Sequence, residues 1–406
     1  MIKAPITAIA MSNPNSPQFP NGDKHSNFEL KNSHDGSSQL VKRILSAITS
    51  HSLDTVLIGL EATSVYGDNL VYFLREDATL ATFNRKIHVL NPKQVNKFKE
   101  SYNDLPKNDY VDSFVIADCL LFGRINKEVY NGDYRYKALQ NLTRARFYAV
   151  CNLVKEKQRF TNVLFKKYST MTQKKVFSDT FSTTALAVYE EFESAKALAK
   201  MDLQELTDFI MEKGKNRFPD PDSVAKAIQK AARSSYRLPK TVNDSVNQVL
   251  SISITSMKAL ESQIKEFDKA IAAQMELLPN VLISIPDIGP VFSAGIMAEI
   301  GDINRFGNHA QLAKHAGLAW KQHQSGGFEA QTTRLINSGN RSLKYYLCEA
   351  AFSLVRCDKE YSDFYHLKYK EVNRYQHKRA LALTARKFVR LVFVLLKDNR
   401  LYRPAK

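Results

Sequence analysis

Four cysteines in 406 residues, Cys119, Cys151, Cys348 and Cys357, form no CxxC pair and stand beside no histidine at zinc-ligand spacing. A disulfide framework and a structural zinc site are excluded, and the thiols are expected to be reduced and mostly buried. No apolar run approaches the ~18–20 residues of a membrane-spanning helix. The first residues also lack the basic-then-apolar order of a signal peptide, so a cytoplasmic protein is expected. Acidic residues are in short supply: 41 Asp+Glu against 58 Lys+Arg leave a net charge of +17. With 44% hydrophobic and 24% charged residues the chain has globular usage, which excludes a largely disordered protein. Its length fits two or three domains of ~100–200 residues each. A folded surface with this surplus serves a polyanion, most commonly nucleic acid, with an unspecialised basic protein as the plainer alternative.

Glycine is nearly absent from the middle of the chain, which leaves long helical periodicity at 134–168 and 242–278. Leu142, Ala149, Leu153, Phe160 and Leu164 step by 7, 4, 7 and 4, while Leu260, Ile264, Phe267 and Ile271 step by 4, 3 and 4. That is the spacing of a heptad seam, and two such helices paired as an antiparallel coiled coil satisfy both stripes. Residues 170–240 between them are helical but broken by Phe218-Pro219-Asp220-Pro221 and Leu238-Pro239, which predicts a helical insertion. The first third alternates strands and helices. Strands are expected at 6–10, around 28–30, at 55–60 ending in Glu61, and at 87–90; helices are expected at 38–50 and from Glu61 to about Glu76. This is an α/β layered pattern, with polar residues at strand ends where such folds build sites. From Pro279 the chain is again helical. The fold class is α/β plus all-α, with domains at 1–130, 131–278 and 279–406.

Asp109 and Asp112 lie three residues apart where a helix begins, so both carboxylates project from one face. Hard cations such as Mg²⁺ want clustered carboxylate oxygens, and Glu61 at its strand end is a natural third ligand. Stabilisation of a helix N-terminus by its own aspartates is the plainer reading. The segment 282–291, with Pro286, Asp287 and Gly289, has the pattern of a hairpin between helices whose free N–H groups suit a phosphate. An ordinary helix corner fits it equally. Ser325, followed by Gly326-Gly327 in a polar loop with Arg334 and Arg341 downstream, is a candidate nucleophile, although most such serines are turn residues. His315 and His323 are candidate bases, each with a structural alternative. Lys344, Arg386, Lys387 and Arg390 lie among tyrosines and apolar helix positions, where they would neutralise phosphates.

Taken in order, these motifs resemble the transposases of the insertion-sequence one-hundred-and-ten family, relatives of the Piv DNA invertases. At the N-terminal end the resemblance rests on Gly59-Leu60-Glu61-Ala62-Thr63-Ser64, Asn91-Pro92 and Lys107-Asn108-Asp109-Tyr110-Val111-Asp112. At the C-terminal end it rests on Ile285-Pro286-Asp287-Ile288-Gly289, Ala316-Gly317-Leu318-Ala319, Gln324-Ser325-Gly326 and Ser338-Gly339-Asn340. The resemblance implies a RuvC-like domain of RNase H type with four acidic Mg²⁺ ligands, a coiled coil that mediates dimers and tetramers, and a helical C-terminal transposase domain with a serine nucleophile. It also implies a structured non-coding bridge RNA that specifies donor and target DNA. Carried over, Glu61, Asp109 and Asp112 match three acidic positions and Ser325 the nucleophile. The first-strand aspartate is replaced by Ala10, which implies a weakened metal site in an inactive or impaired chain; a deliberate substitution and a degenerate copy both account for it, and the intact remainder favours the former. Asp287 stands where the family usually has glycine, and the 170–240 insertion exceeds the family minimum. A Piv-like invertase, a RuvC-like nuclease using metal-activated water, and a nucleic-acid-binding scaffold with a decayed site remain as alternatives.

Overall fold

The computed structural model describes residues 7–12, 28–51, 53–62, 64–102, 105–106, 108–122, 133–321, 324–325, 328–329, 334–336 and 338–403. Their contacts divide the chain into two compact units, residues 1–131 and 132–406.

In the first unit, β2 (Thr55–Glu61) and β3 (Asn84–Leu90) run parallel, with Ile58 opposite Ile87 and Glu61 opposite Leu90. On the other edge of β2 lies β1 (Thr7–Ser12), antiparallel, with Ala10 opposite Leu57. Alternation along β2 sends Val56, Ile58 and Leu60 to one face, where they join Leu40, Ile44 and Ile48 of α1 (His34–His51) and Leu70, Val71 and Leu74 of α2 (Asp68–Glu76) in one core. Two further helices follow β3. They are α3 (Pro92–Lys99), capped by the Asn91 side chain with Pro92 in its first turn, and α4 (Asp109–Leu121), capped by Asn108. The α4 helix packs on β1 and β2, and both faces of the parallel pair are therefore covered. The strand expected around 28–30 is not formed. That segment is irregular backbone leading into α1; Phe28 and Leu30 enter the core as side chains, and the Arg43 guanidinium lies 4.1 Å over the Phe28 ring. Two apolar residues on either side of Glu29 can fill a core from a loop as well as from a ladder.

Among its described residues the second unit is helical apart from a short hairpin and an isolated bridge between Trp320 and Leu335. The helices α5 (Tyr134–Lys167) and, after the insertion, α11 (Lys240–Met275) run antiparallel. At one end Leu139 shares a core with Ile271 and Met275; at the other Phe160 and Leu164 share one with Val246, Leu250 and Ile254. Between the two cores Leu260, Ile264 and Phe267 are only half-buried, and the helices are joined by Arg146–Asp268 at 2.5 Å and Lys157–Glu261 at 3.4 Å. The insertion holds α6 (Ser169–Lys174), α7 (Thr183–Glu191), α8 (Ala195–Lys200), α9 (Leu203–Gly214) and α10 (Pro221–Arg233). Ser182, Ser194, Asp202 and Asp220 cap the last four, which explains the run of short helices.

Beyond α11, a 3₁₀ turn leads into α12 (Pro290–Ile300), which is buried along its whole length from Ser293 and forms the centre of the C-terminal core. Around it stand α13 (His309–His315), α14 (Arg341–Cys357), α15 (Lys359–Lys370) and α16 (Gln376–Asp398), with the hairpin β4 (Gln324–Ser325) and β5 (Phe328–Glu329) between α13 and α14. All four cysteines are free, but only Cys119 is fully buried. Cys151 and Cys348 are half-buried, and Cys357, the last residue of α14, is exposed because its helix ends there. No helix among the described residues is long and apolar enough to cross a membrane.

Candidate active site

Gly59 decides how closely α4 lies on the sheet. A Cβ at that position would stand 2.7 Å from Ile116 Cγ2 and 2.8 Å from Leu120 Cδ1, so the missing side chain lets α4 settle directly on β2. Two residues on, Glu61 ends the strand on the same face, and the first turn of α4 presents Asp109 and Asp112. Burial pushes the Glu61 carboxyl up from its ordinary value, and the negative charges of Asp112 and Asp109 push it further. Lys99 closes the cluster on one side, its Nζ 2.7 Å from Asp112 Oδ1 and 3.1 Å from the Pro106 carbonyl. Mutually repelling hard oxygen donors suit a divalent cation. Among the described residues, however, no three His, Cys, Asp or Glu groups converge tightly enough to hold one. Ala10, at the position where the family resemblance implies a further carboxylate, lies in β1 opposite Leu57.

Ser325 lies at the end of β4 and pairs with Phe328 of β5. Below it the chain is held by a short antiparallel ladder, in which the Lys321 amide donates to the Arg334 carbonyl and the Ile336 amide to the Ala319 carbonyl, both at 2.9 Å. Gly317 and Gly339, which belong to two of the quoted motifs, press their backbones together. Both have positive φ, +73° and +129°, and a Cβ on Gly339 would sit 2.5 Å from the Gly317 nitrogen. His315 accepts the Asn340 amide on its carbonyl, while its Nε2 lies 3.2 Å from Arg305. His323 lies outside the described residues.

Of the basic candidates, Arg334 and Arg341 are exposed, the latter opening α14, and Lys344 is half-buried one turn on. Arg390 is exposed on α16. Arg386 donates to the His309 carbonyl at 3.2 Å, and burial together with the charge of Arg390 lowers its pKa. Lys387 is engaged within the fold, 2.8 Å from Glu360 and over the rings of Tyr361 and Phe364. Gly289 caps α12 with ordinary backbone angles, and a Cβ there would meet nothing within 4 Å, so the fold itself does not demand glycine. Asp287 does occupy the left-handed region at φ +60°. Sequence reasoning missed Glu299, a buried carboxylate on α12 that accepts Arg144 through two bonds of 2.7 and 2.9 Å. Its signal was present as one acid inside an otherwise apolar helix.

Comparison with known proteins finds two matching stretches, the first of which runs past the end of the first unit into α5. Residues 16–168 match the IS110 family of DEDD transposases, and residues 280–366 match the transposase IS116/IS110/IS902 family. The first match begins after β1, so position 10 falls outside it. The chain is 26% identical to the uncharacterised 44.8 kDa protein of insertion element IS116 from Streptomyces clavuligerus, over 81% of this chain and 80% of that protein. It is 23% identical to the 42 kDa protein of insertion element IS900 from Mycobacterium paratuberculosis, over 81% of each. A probable family 20 transposase of Pseudomonas aeruginosa is 25% identical over 36% of this chain and 44% of its own length. The chain belongs to the IS110/IS116 family of transposases.

Proposed function

We propose that this transposase is a DNA recombinase that uses Ser325 as its nucleophile and a carboxylate-bound divalent cation in a RuvC-like, RNase H-type domain. The Ser325 Oγ attacks a scissile phosphodiester. An Oγ–P bond forms as the bond from phosphorus to the leaving deoxyribose oxygen breaks; the hydroxyl gives up its proton and the leaving oxygen takes one. The phosphoserine link conserves the bond energy for rejoining to another strand. Arg334 and Arg341 bind the phosphate oxygens and offset the charge that builds on them. Glu61, Asp109 and Asp112 would have to draw closer together than they stand to hold Mg²⁺, which supplies Lewis-acid stabilisation when bound. The observation that carries this reading is the packing of α4 on β2, which brings the charges of Asp112 and Asp109 to bear on the Glu61 carboxyl in the part of the chain that matches a DEDD transposase.

A structured guide RNA is part of the proposal, resting on the family resemblance and supported by the basic surplus of +17. Self-association through the coiled coil is likewise proposed. Its support is the exposed apolar pair Val249 and Ile252, one turn apart on α11, the latter 67% exposed. With Ala10 in place of the aspartate, activity is expected to be low, and Ala10→Asp should raise recombination at least tenfold. In that restored background, Ser325→Ala should abolish a covalent protein–DNA adduct on denaturing gels. Undiminished cleavage without the serine would establish the RuvC-like nuclease instead, and intact binding with no strand exchange in the restored protein would establish a scaffold. Sequencing RNA that copurifies with the chain tests the guide.

A further inference from the structure

The carboxylate of Glu299 is wholly removed from solvent, yet α12 around it is apolar. A buried charge is costly unless several donors meet it, and an apolar residue would have filled the space without that demand. Here the donors come from two other helices. Arg144 of α5 binds in a fork, Gln140 of α5 donates at 3.1 Å, and Asn340 at the start of α14 donates at 2.6 Å. Asn340 serves twice more, since its Oδ1 accepts the Leu343 amide that opens α14 and its own amide holds the His315 carbonyl at 2.7 Å. Gly339, just before it, is pressed on Gly317. Both chain segments that lead into the Ser325 hairpin, through Gly317 on one side and Asn340 on the other, therefore converge on this carboxylate and on α5 behind it.

We infer that Glu299 is a positioning residue whose carboxylate, through Asn340 and Arg144, fixes the roots of the Ser325 hairpin to the long helix α5. The catalytic part of this inference rests on Ser325 being the nucleophile; the mechanical part does not. Asn340→Ser keeps a cap for α14 but removes the donor to Glu299, and it avoids the folding risk of altering the buried acid directly. The expected result is amide hydrogen exchange at least tenfold faster at Lys321 and Ile336, with the Leu343 amide still protected and the melting temperature unchanged. In the Ala10→Asp background, the same variant and Glu299→Gln should slow adduct formation at least tenfold while DNA affinity stays as it was. Unchanged exchange at Lys321 and Ile336 overturns the inference, as does faster exchange throughout α12 and α14 with a lower melting temperature, which marks a merely structural role. If Ser325→Ala leaves the adduct intact, the nucleophile reading fails on its own, and the exchange measurement still decides the part played by Glu299.

Discussion

Lys167 ends α5 with its ammonium inside the protein, 2% exposed, donating to the Tyr189 carbonyl at 2.8 Å beside the Tyr168 ring. Burial lowers its pKa from 10.5 to about 8. Between those values the unfolded chain binds the proton that the folded chain has released, so stability rises with pH through that window, and below it the penalty is constant. Relative to Lys167→Met, the parent chain should gain about 1–2 kcal/mol in urea unfolding between pH 8 and 9.5; the thiols of Cys119, Cys348 and Cys357, which burial pushes up, act in the opposite sense but equally in both chains. The window stops short of the pH at which unfolded tyrosines ionise, where the raised values of Tyr168 and Tyr189 reverse the slope. A profile equally steep in the variant would assign the gain to other groups. Single residues also show where motifs stop being informative. Asp287 reads in the sequence only as a departure from a glycine, whereas its φ of +60° supplies the reason for that glycine, since the left-handed region costs most side chains ~1–2 kcal/mol. Asp is among the few that tolerate it.

At the scale of elements, the pairing of β2 with α4 has the most to do with the acidic cluster, and Gly59 is the residue on which it turns. Gly59→Val would drive two methyl groups into Ile116 and Leu120. It should cost ~1–3 kcal/mol, as overpacking does, and should weaken divalent-cation binding measured by calorimetry by moving Asp109 and Asp112 away from Glu61. Stability within a few tenths of a kcal/mol of the parent would show that α4 is free to shift. The two long helices were legible to within a few residues, because apolar steps of 3 and 4 persist over many turns and nothing interrupts them. The strand expected at 28–30 was not, since Phe28-Glu29-Leu30 is too short to establish a period and the packing of Phe28 against Arg43 is decided by α1. For the same reason Ala316-Gly317 and Ser338-Gly339 were visible as motifs while their task, close approach of two backbones, was not.

Over the whole molecule the surplus of +17 is unevenly placed: residues 279–406 hold twice as many basic as acidic residues. Several of those cations are engaged within the fold, such as Lys387 with Glu360 and Lys397 with Asn304, which leaves Arg334, Arg341 and Arg390 among the exposed ones. If such residues neutralise six or more phosphates, DNA affinity should fall about a thousandfold or more between 50 and 200 mM salt, as read by fluorescence anisotropy. A nearly salt-independent affinity would mean the surplus is only a solvated surface. By itself the sequence determined the helices of the coiled coil, the order of the motifs, the family and the basic balance, because periodicity, capping residues and charge are local and additive. Only the tertiary structure decided that Glu61 lies within reach of the charges of Asp109 and Asp112, that Lys99 binds Asp112, and that Glu299 ties Asn340 to α5. Those contacts join residues 13 to 159 positions apart, and what brings them together is the burial of apolar faces elsewhere in the chain.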